Sequence, residues 1–206
     1  MILETFRSGP LNTNAYLIAC PATHKAALFD APYECYADVV LCLAEKKLTL
    51  EAIYLTHSHI DHIADLSIFK KNFPNIQIWI HSLDQRNLSE PGSDGIGLFS
   101  IEPVTATGFL SHDDKKMIGQ IPFSVIHTPG HSPGGVCFFF PNEKVLISGD
   151  TLFKGTYGSL SLPTAEPSKM MSSLSVLAHL DEKTRVFPGH GRSTTIGDEK
   201  WLKRAD

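Results

Sequence analysis

Four short stretches of this chain each place a histidine or an aspartate just after an apolar, β-prone run. The first stretch is residues 57–62, and the others end at His131, Asp150 and His190. Imidazole and carboxylate ligands without cysteine are typical of catalytic divalent-metal sites, whereas structural zinc sites usually contain cysteine. The sequence therefore predicts strands that deliver seven ligands to a metal site: His57, His59, Asp61, His62, His131, Asp150 and His190.

The window 57–62 contains four of these ligands and follows a predicted buried strand over residues 52–56. Residues two apart on an extended segment point the same way, so His57 and His59 are expected to bind one ion. Asp61 and His62 fall where the chain is expected to turn into a helix over residues 64–69, and so they point elsewhere. One window can thus serve two ions, which lie about 3.5–4 Å apart in typical two-metal sites.

Each of the other three ligands follows a glycine directly, namely Gly130, Gly149 and Gly189. Glycine at these positions predicts tight turns that fix the direction of the next side chain. Loops at strand ends commonly assemble a site from distant parts of a chain. We therefore expect these loops to meet the window 57–62 at one edge of the fold.

The order of predicted elements indicates a mixed α and β chain. Strands are expected over much of residues 1–30, over residues 76–80 and again from 121 to 147, with helices over residues 36–47 and 167–180. The last helix shows apolar residues at helical spacing. The periodicity alone does not fix how these elements are layered.

The ligand pattern resembles the metallo-β-lactamase superfamily, whose motif of two histidines, an aspartate and a histidine is matched by residues 57–62. The resemblance runs from residues 9–16 through 28–30 to 187–191, and so covers most of the chain. It implies an α+β fold, a four-layer αββα sandwich. We expect a single domain over residues 1–206.

Residues 127–134 and 149–153 are most similar to the glyoxalase II branch of thioester hydrolases, in a short form. By that resemblance one ion is held by His57, His59 and His131, the other by Asp61, His62 and His190, and Asp150 bridges them. The implied cofactor is two divalent metal ions. Zinc is the expected metal, with iron and manganese as alternatives, because histidine and aspartate suit all three.

The resemblance implies hydrolysis of a thioester, such as an S-hydroxyacylglutathione, by a hydroxide that bridges two ions. Two nearby cations lower the pKa of a shared water toward about 7 and polarise the attacked carbonyl. Asp61 is the predicted catalytic residue, since it can orient the hydroxide while ligating its metal. A thiolate, whose acid has a pKa near ~8.5 by analogy with cysteine, leaves without a strong general acid.

Other activities stay open on the same ligands. Lactone or phosphodiester hydrolysis would use the same two ions. A persulfide dioxygenase would use one iron, by resemblance at His57, His131 and Asp150, and leave the second site empty. A β-lactamase is disfavoured by the thioesterase-like loops and by the lack of a recognisable export signal.

Two features bear on the substrate. Full-length glyoxalase II enzymes carry a carboxyl-terminal helical region that contributes to glutathione binding, whereas only residues 191–206 follow His190 here. Lys154 and Tyr157, in the loop after Asp150, are placed to line the mouth of the site and are the predicted substrate-binding residues; a solvated loop lysine is the alternative for Lys154.

The next loop departs from the short relatives, which commonly carry Gly-Arg-Thr-Asp-Leu-Pro. Here residues 158–163 place Ser159 and Ser161 at the two charged positions. If the family's arginine and aspartate pair with each other, their joint loss is nearly neutral for stability. If the family's arginine contacts the substrate, we expect this chain to prefer a different substrate.

Five histidines are not assigned as ligands. His24, His112 and His179 are expected on the solvated surface. His81 is expected to be structural, because residues 82–84 after it are typical of a helix start. His127 is predicted to support the ligand loop from behind.

Composition limits the partners. The 206 residues are 42% hydrophobic, enough for one sizeable core, and the net charge of −4 argues against nucleic acid and acidic membranes as partners. No run of about 20 apolar residues and no leader-like amino terminus is present, and the four cysteines form no paired motif. We expect reduced thiols, a cytoplasmic location and a small-molecule substrate. The oligomeric state is left open.

Overall fold

The first half of the chain builds one six-stranded sheet. The computed structural model describes residues 1–97 and 100–204. The strands of this sheet follow chain order: β1 (Ile2–Ser8), β2 (Thr13–Ala19), β3 (Lys25–Phe29), β4 (Thr49–Tyr54), β5 (Gln77–His81) and β6 (Gly108–Leu110). The first three strands pair antiparallel, and β3 to β6 pair parallel. Strand β4 ends at Tyr54, so His57 lies in the loop beyond it.

The second half builds the other six-stranded sheet. Its strands are β7 (Lys115–Ile118), β8 (Ile121–His127), β9 (Val136–Phe140), β10 (Val145–Gly149), β11 (Arg185–Pro188) and β12 (Thr194–Thr195). They lie in the order β12-β11-β10-β9-β8-β7. Only β10 and β11 are parallel among these pairs. The predicted strands before His131, Asp150 and His190 are therefore present.

Helices cover the outer faces of both sheets. They are α1 (Tyr36–Glu45), α2 (Ile60–Ile63), α3 (Leu66–Asn72), a 3-10 turn (Ser82–Asp84), α4 (Arg86–Ser89), α5 (Pro167–Ala178) and a 3-10 segment (Lys200–Arg204). Helix α1 ends before the predicted boundary because Lys47 adopts a left-handed backbone, with φ of 53°. Within the described part of the chain, no helix has the length and apolar character needed to cross a membrane.

The apolar side chains form three layers of core, which confirms the αββα sandwich. Along β3, Ala26 and Leu28 face α1 and α3, while Ala27 and Phe29 face the other sheet. Phe29 is fully buried among aromatic rings of both sheets, and such burial contributes about 1.5–3 kcal/mol. The third cluster lies between the second sheet and α5.

The prediction for Asp61 and His62 is wrong in one respect. These residues lie inside the one-turn helix α2, not in a turn before a helix at residues 64–69. The helix is interrupted because the Asp65 N–H donates to the Ala31 carbonyl at 2.9 Å instead of continuing the helical ladder. A new helix, α3, then begins at Leu66.

Candidate metal centre

Four loops bring the predicted ligands to one edge of the sandwich. They follow β4, β8, β10 and β11, so each ligand does lie beyond the carboxyl end of a strand. Strand β2 holds the last loop in place, because Asn14 N–H donates to the Gly189 carbonyl at 2.8 Å and the Tyr16 hydroxyl donates to the Pro188 carbonyl at 2.6 Å. All seven predicted ligands are together in the structure.

The first group of ligands contains only imidazoles. His57, His59 and His131 are buried and offer nitrogen atoms that lie within 4.8 Å of one another. His59 Nδ1 lies 2.8 Å from His131 Nε2. Three nitrogens that converge in this way can hold one ion.

The second group mixes imidazole and carboxylate. Asp61 Oδ2 lies 3.2 Å from His190 Nε2 and 3.5 Å from His62 Nε2. The two imidazole nitrogens are 3.3 Å apart. His62 is completely buried, whereas the His190 side chain is 25% exposed. Solvent therefore reaches this group from the His190 side.

Asp150 lies between the two groups. Its Oδ2 atom is 3.3 Å from His131 Nε2, a member of the first group. Its Oδ1 atom is 3.4 Å from His62 Nε2, and Oδ2 is 3.5 Å from His190 Nε2. The carboxylate thus contacts ligands of both groups, which is the position a bridging ligand requires.

The residues fit two divalent ions. His57 Nε2 and Asp150 Oδ1 are buried and make no hydrogen bond, which is costly unless another group binds them. The close approach of His59 Nδ1 to His131 Nε2 also places two ring nitrogens where a shared cation would stabilise both. Imidazole and carboxylate are ligands that zinc, iron and manganese accept.

The other ring nitrogen of most ligands has a partner that fixes the ring. His57 Nδ1 lies 3.0 Å from Thr56 Oγ1, and His62 Nδ1 lies 2.9 Å from Asp30 Oδ2. His131 Nδ1 lies 2.8 Å from the Ser159 carbonyl. His190 Nδ1 lies 3.2 Å from the Leu11 carbonyl, and the Thr13 hydroxyl donates to Asp61 Oδ2 at 2.7 Å. Such partners leave the opposite nitrogen free for a metal.

The pKa shifts differ between the two groups. Burial, reinforced by neighbouring imidazoles, lowers the pKa of His57 well below its ordinary value and that of His59 to about 3. Burial also acts to lower the pKa of His62, but the carboxylates of Asp61 and Asp150 outweigh it and raise that pKa well above its ordinary value. Burial acts to raise the pKa of each carboxyl, yet the neighbouring imidazoles lower both.

Sequence reasoning missed the residues behind the ligands, above all Asp30. This aspartate is buried after β3, with φ of 62°, and it accepts hydrogen bonds from the Thr56 N–H and hydroxyl besides contacting His62. Asp30 also follows an apolar strand, so the pattern that revealed the ligands was present there. The local sequence does not distinguish a residue that binds the metal from a residue that hydrogen-bonds to a metal-binding side chain.

The three predicted tight turns have two different causes. Gly130 and Gly149 have positive φ values of 155° and 48°, which favour glycine. Gly189 is instead required for space, because a Cβ there would lie 2.1 Å from Asp150 Oδ1 and 2.7 Å from His62 Cε1. Gly158, which sequence reasoning did not single out, has the same role, since its Cβ would lie 2.8 Å from His131 Nδ1.

The remaining histidines lie outside the ligand groups. His24, His112 and His179 are exposed as predicted, although His112 Nδ1 accepts a hydrogen bond from the His127 N–H. The His81 ring caps the 3-10 turn and stacks on His127 with centroids 4.1 Å apart. His127 Nε2 lies 2.9 Å from the Pro133 carbonyl, which agrees with the predicted support of the ligand loop.

The predicted substrate residues are in the loop after Asp150. Lys154 is exposed there. The ring of its neighbour Phe153 packs against the His190 ring, with the two ring centroids 6.0 Å apart. Tyr157 is half-buried against the Trp201 ring at 6.2 Å. Their roles toward a substrate stay predictions.

The two serines that replace charged residues in the next loop contact each other. Ser159 Oγ lies 2.9 Å from Ser161 Oγ, and both residues are exposed. The Ser159 main chain, not its side chain, contacts His131. The contact that orients the His131 ring therefore uses no side-chain atom of residue 159.

A family comparison agrees with this geometry. The sequence profile described as metallo-beta-lactamase superfamily matches residues 8–190. The chain belongs to this superfamily. Similar proteins include a probable metallo-hydrolase, YqgX, from Bacillus subtilis (strain 168), which is 31% identical over 93% of this chain and 91% of its own length. A hydroxyacylglutathione hydrolase from Thermosynechococcus vestitus is 34% identical over 90% of this chain and 66% of its own length.

Solved structures show the same fold. BLEG-1 B3 metallo-beta-lactamase superposes with a TM-score of 0.86 at 33% identity, and TTHA1623 in a di-iron-bound form with 0.85 at 33%; each covers 96% of both chains. ETHE1 from Myxococcus xanthus gives 0.81 at 26% identity over 97% of this chain and 82% of that one. Together with the ligand groups, these matches identify a metallo-hydrolase whose histidines and aspartates are suited to divalent metals.

Proposed function

We propose that this protein hydrolyses thioesters of the S-hydroxyacylglutathione type with two divalent metal ions. The observation that carries the proposal is the pair of ligand groups with Asp150 between them. Two further features support the thioester. The similarity to a hydroxyacylglutathione hydrolase extends over 90% of the chain, and residues 127–134 and 149–153 resemble that branch.

The protein's own residues have distinct tasks in this reaction. His57, His59 and His131 would hold one ion, Asp61, His62 and His190 the other, and Asp150 both. Bound ions supply a water of lowered pKa and a charge that polarises the attacked carbonyl. Asp61, whose Oδ2 accepts a hydrogen bond from the Thr13 hydroxyl, would orient the attacking water through its carboxylate.

Water is the nucleophile in this proposal because the nearby hydroxyl and thiol are occupied or buried. Burial raises the pKa of the Cys137 thiol to about 11, so it stays protonated at neutral pH. The Ser132 hydroxyl, next to His131, is buried and donates to Asp84 at 2.8 Å. A thiolate leaving group needs no strong general acid.

Zinc is the metal we propose, with iron as the main alternative. The mixed imidazole and carboxylate set suits either ion. The di-iron form of TTHA1623, at 33% identity, favours testing iron alongside zinc.

The substrate is proposed to be a small molecule, with Lys154 and Tyr157 as its contacts beyond the metal centre. Lys154 is exposed and lies in the same loop as Phe153, which packs on His190. A cytoplasmic location is part of the proposal and is supported by the four unpaired cysteines. Nucleic acid and membranes are not proposed as partners, because the net charge is −4.

A second candidate is β-lactam hydrolysis. The similarity to BLEG-1 B3 metallo-beta-lactamase favours it, since that structure covers 96% of this chain with a TM-score of 0.86. The same attack on a polarised carbonyl would open a lactam ring, so the metal centre alone does not separate the two substrates. Substrate assays must do so.

The deciding experiment measures hydrolysis of S-lactoylglutathione by protein loaded with zinc or with iron. His131→Ala, purified identically, excludes a contaminating enzyme. His179→Ala is the matched control, because this imidazole is exposed at the end of α5 and contacts the Ser175 carbonyl. We expect turnover in the wild type and in His179→Ala, and none in His131→Ala. The proposal would be overturned if the protein did not hydrolyse the thioester but opened a β-lactam, hydrolysed a lactone or consumed oxygen with a persulfide. The activity observed would then replace it.

A further inference from the structure

A buried carboxylate outside the ligand set lies beside the first group of ligands. Asp84 ends the 3-10 turn after β5 and is 5% exposed. Its carboxylate accepts three hydrogen bonds: from Gly134 N–H at 2.6 Å, from the Ser132 hydroxyl at 2.8 Å and from Ser58 N–H at 3.3 Å. A buried carboxylate is costly unless it is well hydrogen-bonded, so these three bonds fix both Asp84 and its partners.

The partners of Asp84 belong to the two loops that supply the first group. Ser58 lies between His57 and His59, and Ser132 follows His131 directly. A main-chain bond also joins these loops, from Val136 N–H to the Thr56 carbonyl at 2.8 Å, but Val136 lies well beyond His131 in the sequence. Asp84 joins them next to the ligands themselves.

Asn87, in helix α4, holds the other side of Ser58. Its side-chain amide donates to the Ser58 carbonyl at 2.5 Å and to Asp94 at 2.9 Å, while its oxygen accepts from Gly92 N–H at 2.9 Å. Asp84 therefore holds the N–H of Ser58 and Asn87 holds its carbonyl. The peptide groups between His57 and His59 are thereby fixed on both sides.

Room for this arrangement depends on a glycine. A Cβ at Gly134 would lie 2.6 Å from Asp84 Oδ1, closer than real contacts allow. The close approach of the carboxylate thus accounts for the glycine in the ligand loop.

We propose that Asp84, assisted by Asn87, is a positioning residue of the first metal site: it sets the spacing between the His57–His59 pair and His131. Among the residues that the structure describes, the Asp84 carboxylate accepts from Ser58, Ser132 and Gly134, and not from Asp61, His62 or His190. Its loss should therefore weaken the first site selectively. This inference rests on the ligand assignment and not on the choice of substrate.

The test titrates metal-free protein with Co²⁺ alone and follows binding by visible absorption and equilibrium dialysis. A His190→Ala background disables the second group, so that the first is measured, and a His131→Ala background does the reverse. Outer partners of metal ligands typically contribute about 10–100-fold to metal affinity. We expect Asp84→Ala to weaken Co²⁺ binding by about this factor in the His190→Ala background, with no comparable change in the other.

A graded series separates positioning from general destabilisation. Asp84→Asn keeps an acceptor for Ser58 and Ser132 but places an amide opposite Gly134 N–H, so we expect partial rescue. Ser132→Ala removes one bond and should have the smallest effect. These milder variants carry the test if Asp84→Ala does not fold.

The matched control is Glu199→Gln. Glu199 is a carboxylate of similar burial, 3% exposed, and it also accepts three hydrogen bonds, from Gly155, Thr194 and Trp201. The Glu199→Gln substitution should lower the unfolding temperature about as much as Asp84→Ala does. The Co²⁺ affinity of the first site should stay unchanged. Equal losses in both backgrounds, or no loss for Asp84→Ala, would overturn the positioning role. If the metal sites bind Co²⁺ as described but thioesters are not hydrolysed, only the proposed function fails.

Discussion

The two halves of the metal centre differ in how they are held together. The first group consists of three buried imidazoles, and two of them, His57 and His59, have lowered pKa values. The second group places His62 against two carboxylates that raise its pKa. His57 and His59 therefore offer neutral nitrogens to an ion, whereas an ion that binds His62 must displace a proton.

The surroundings of the two halves differ as well. The first group is bounded by loops that Asp84 ties together. The second depends on the amino-terminal segment, where Thr13 contacts Asp61 and the Leu11 carbonyl contacts the partly exposed His190. The comparison indicates a more rigid first site and a more exchangeable second site, which four predictions test.

Replacing the shared ligand should have the largest effect on metal content, because both ions depend on it. Asp150→Ala removes the carboxylate that contacts both groups, and metal analysis should show both ions loosened or lost. Turnover should fall by more than about 100-fold, the upper value for losing a mere partner of a ligand. Unchanged content of both metals would refute the bridging role.

Removing one imidazole should empty only one half. His59→Ala should abolish turnover and release the first ion while circular dichroism shows the fold largely intact, because the side chain contacts ligands and not the apolar core. His24→Ala, an exposed histidine, serves as the control. Full turnover in His59→Ala would contradict the assignment of the first site.

Loosening a partner should affect the second half more than the first, because Asp30 contacts His62 directly and His57 only through Thr56. Asp30→Asn weakens the contact to His62 Nδ1, which lies 2.9 Å away. We expect about a 10–100-fold loss of affinity for the second ion by competition dialysis. An equal loss at the first site would show that the halves are not separable in this way.

The smallest effect should appear on changing pH. A raised pKa means that His62 retains its proton through the neutral range, so affinity of the second site should increase as pH rises from about 6 to 8. The lowered pKa values of His57 and His59 mean that these rings are already neutral there, so they add no such pH dependence to the first site. Parallel pH profiles for the two ions, measured by titration, would count against the difference in protonation.

The sequence predicts the fold and the convergence of the candidate ligands because their signals are local; that these residues bind metal stays a prediction. A histidine or aspartate after an apolar strand can be read from adjacent residues, and the structure brings all seven together. The role of Asp84 could not be read in this way, because its residue type only indicates a helix start and its partners lie 26 to 50 residues away. The helix boundary at residues 60–66 was missed because a tertiary bond, from Asp65 to Ala31, interrupts the helix.

The most direct test is a crystal structure of the metal-loaded protein with anomalous data at the metal edge. Two ions are predicted, one contacting His57 Nε2, His59 Nδ1 and His131 Nε2, the other contacting Asp61, His62 and His190, with Asp150 contacting both. A single ion in fully loaded protein, or two ions without Asp150 between them, would contradict the two-site account.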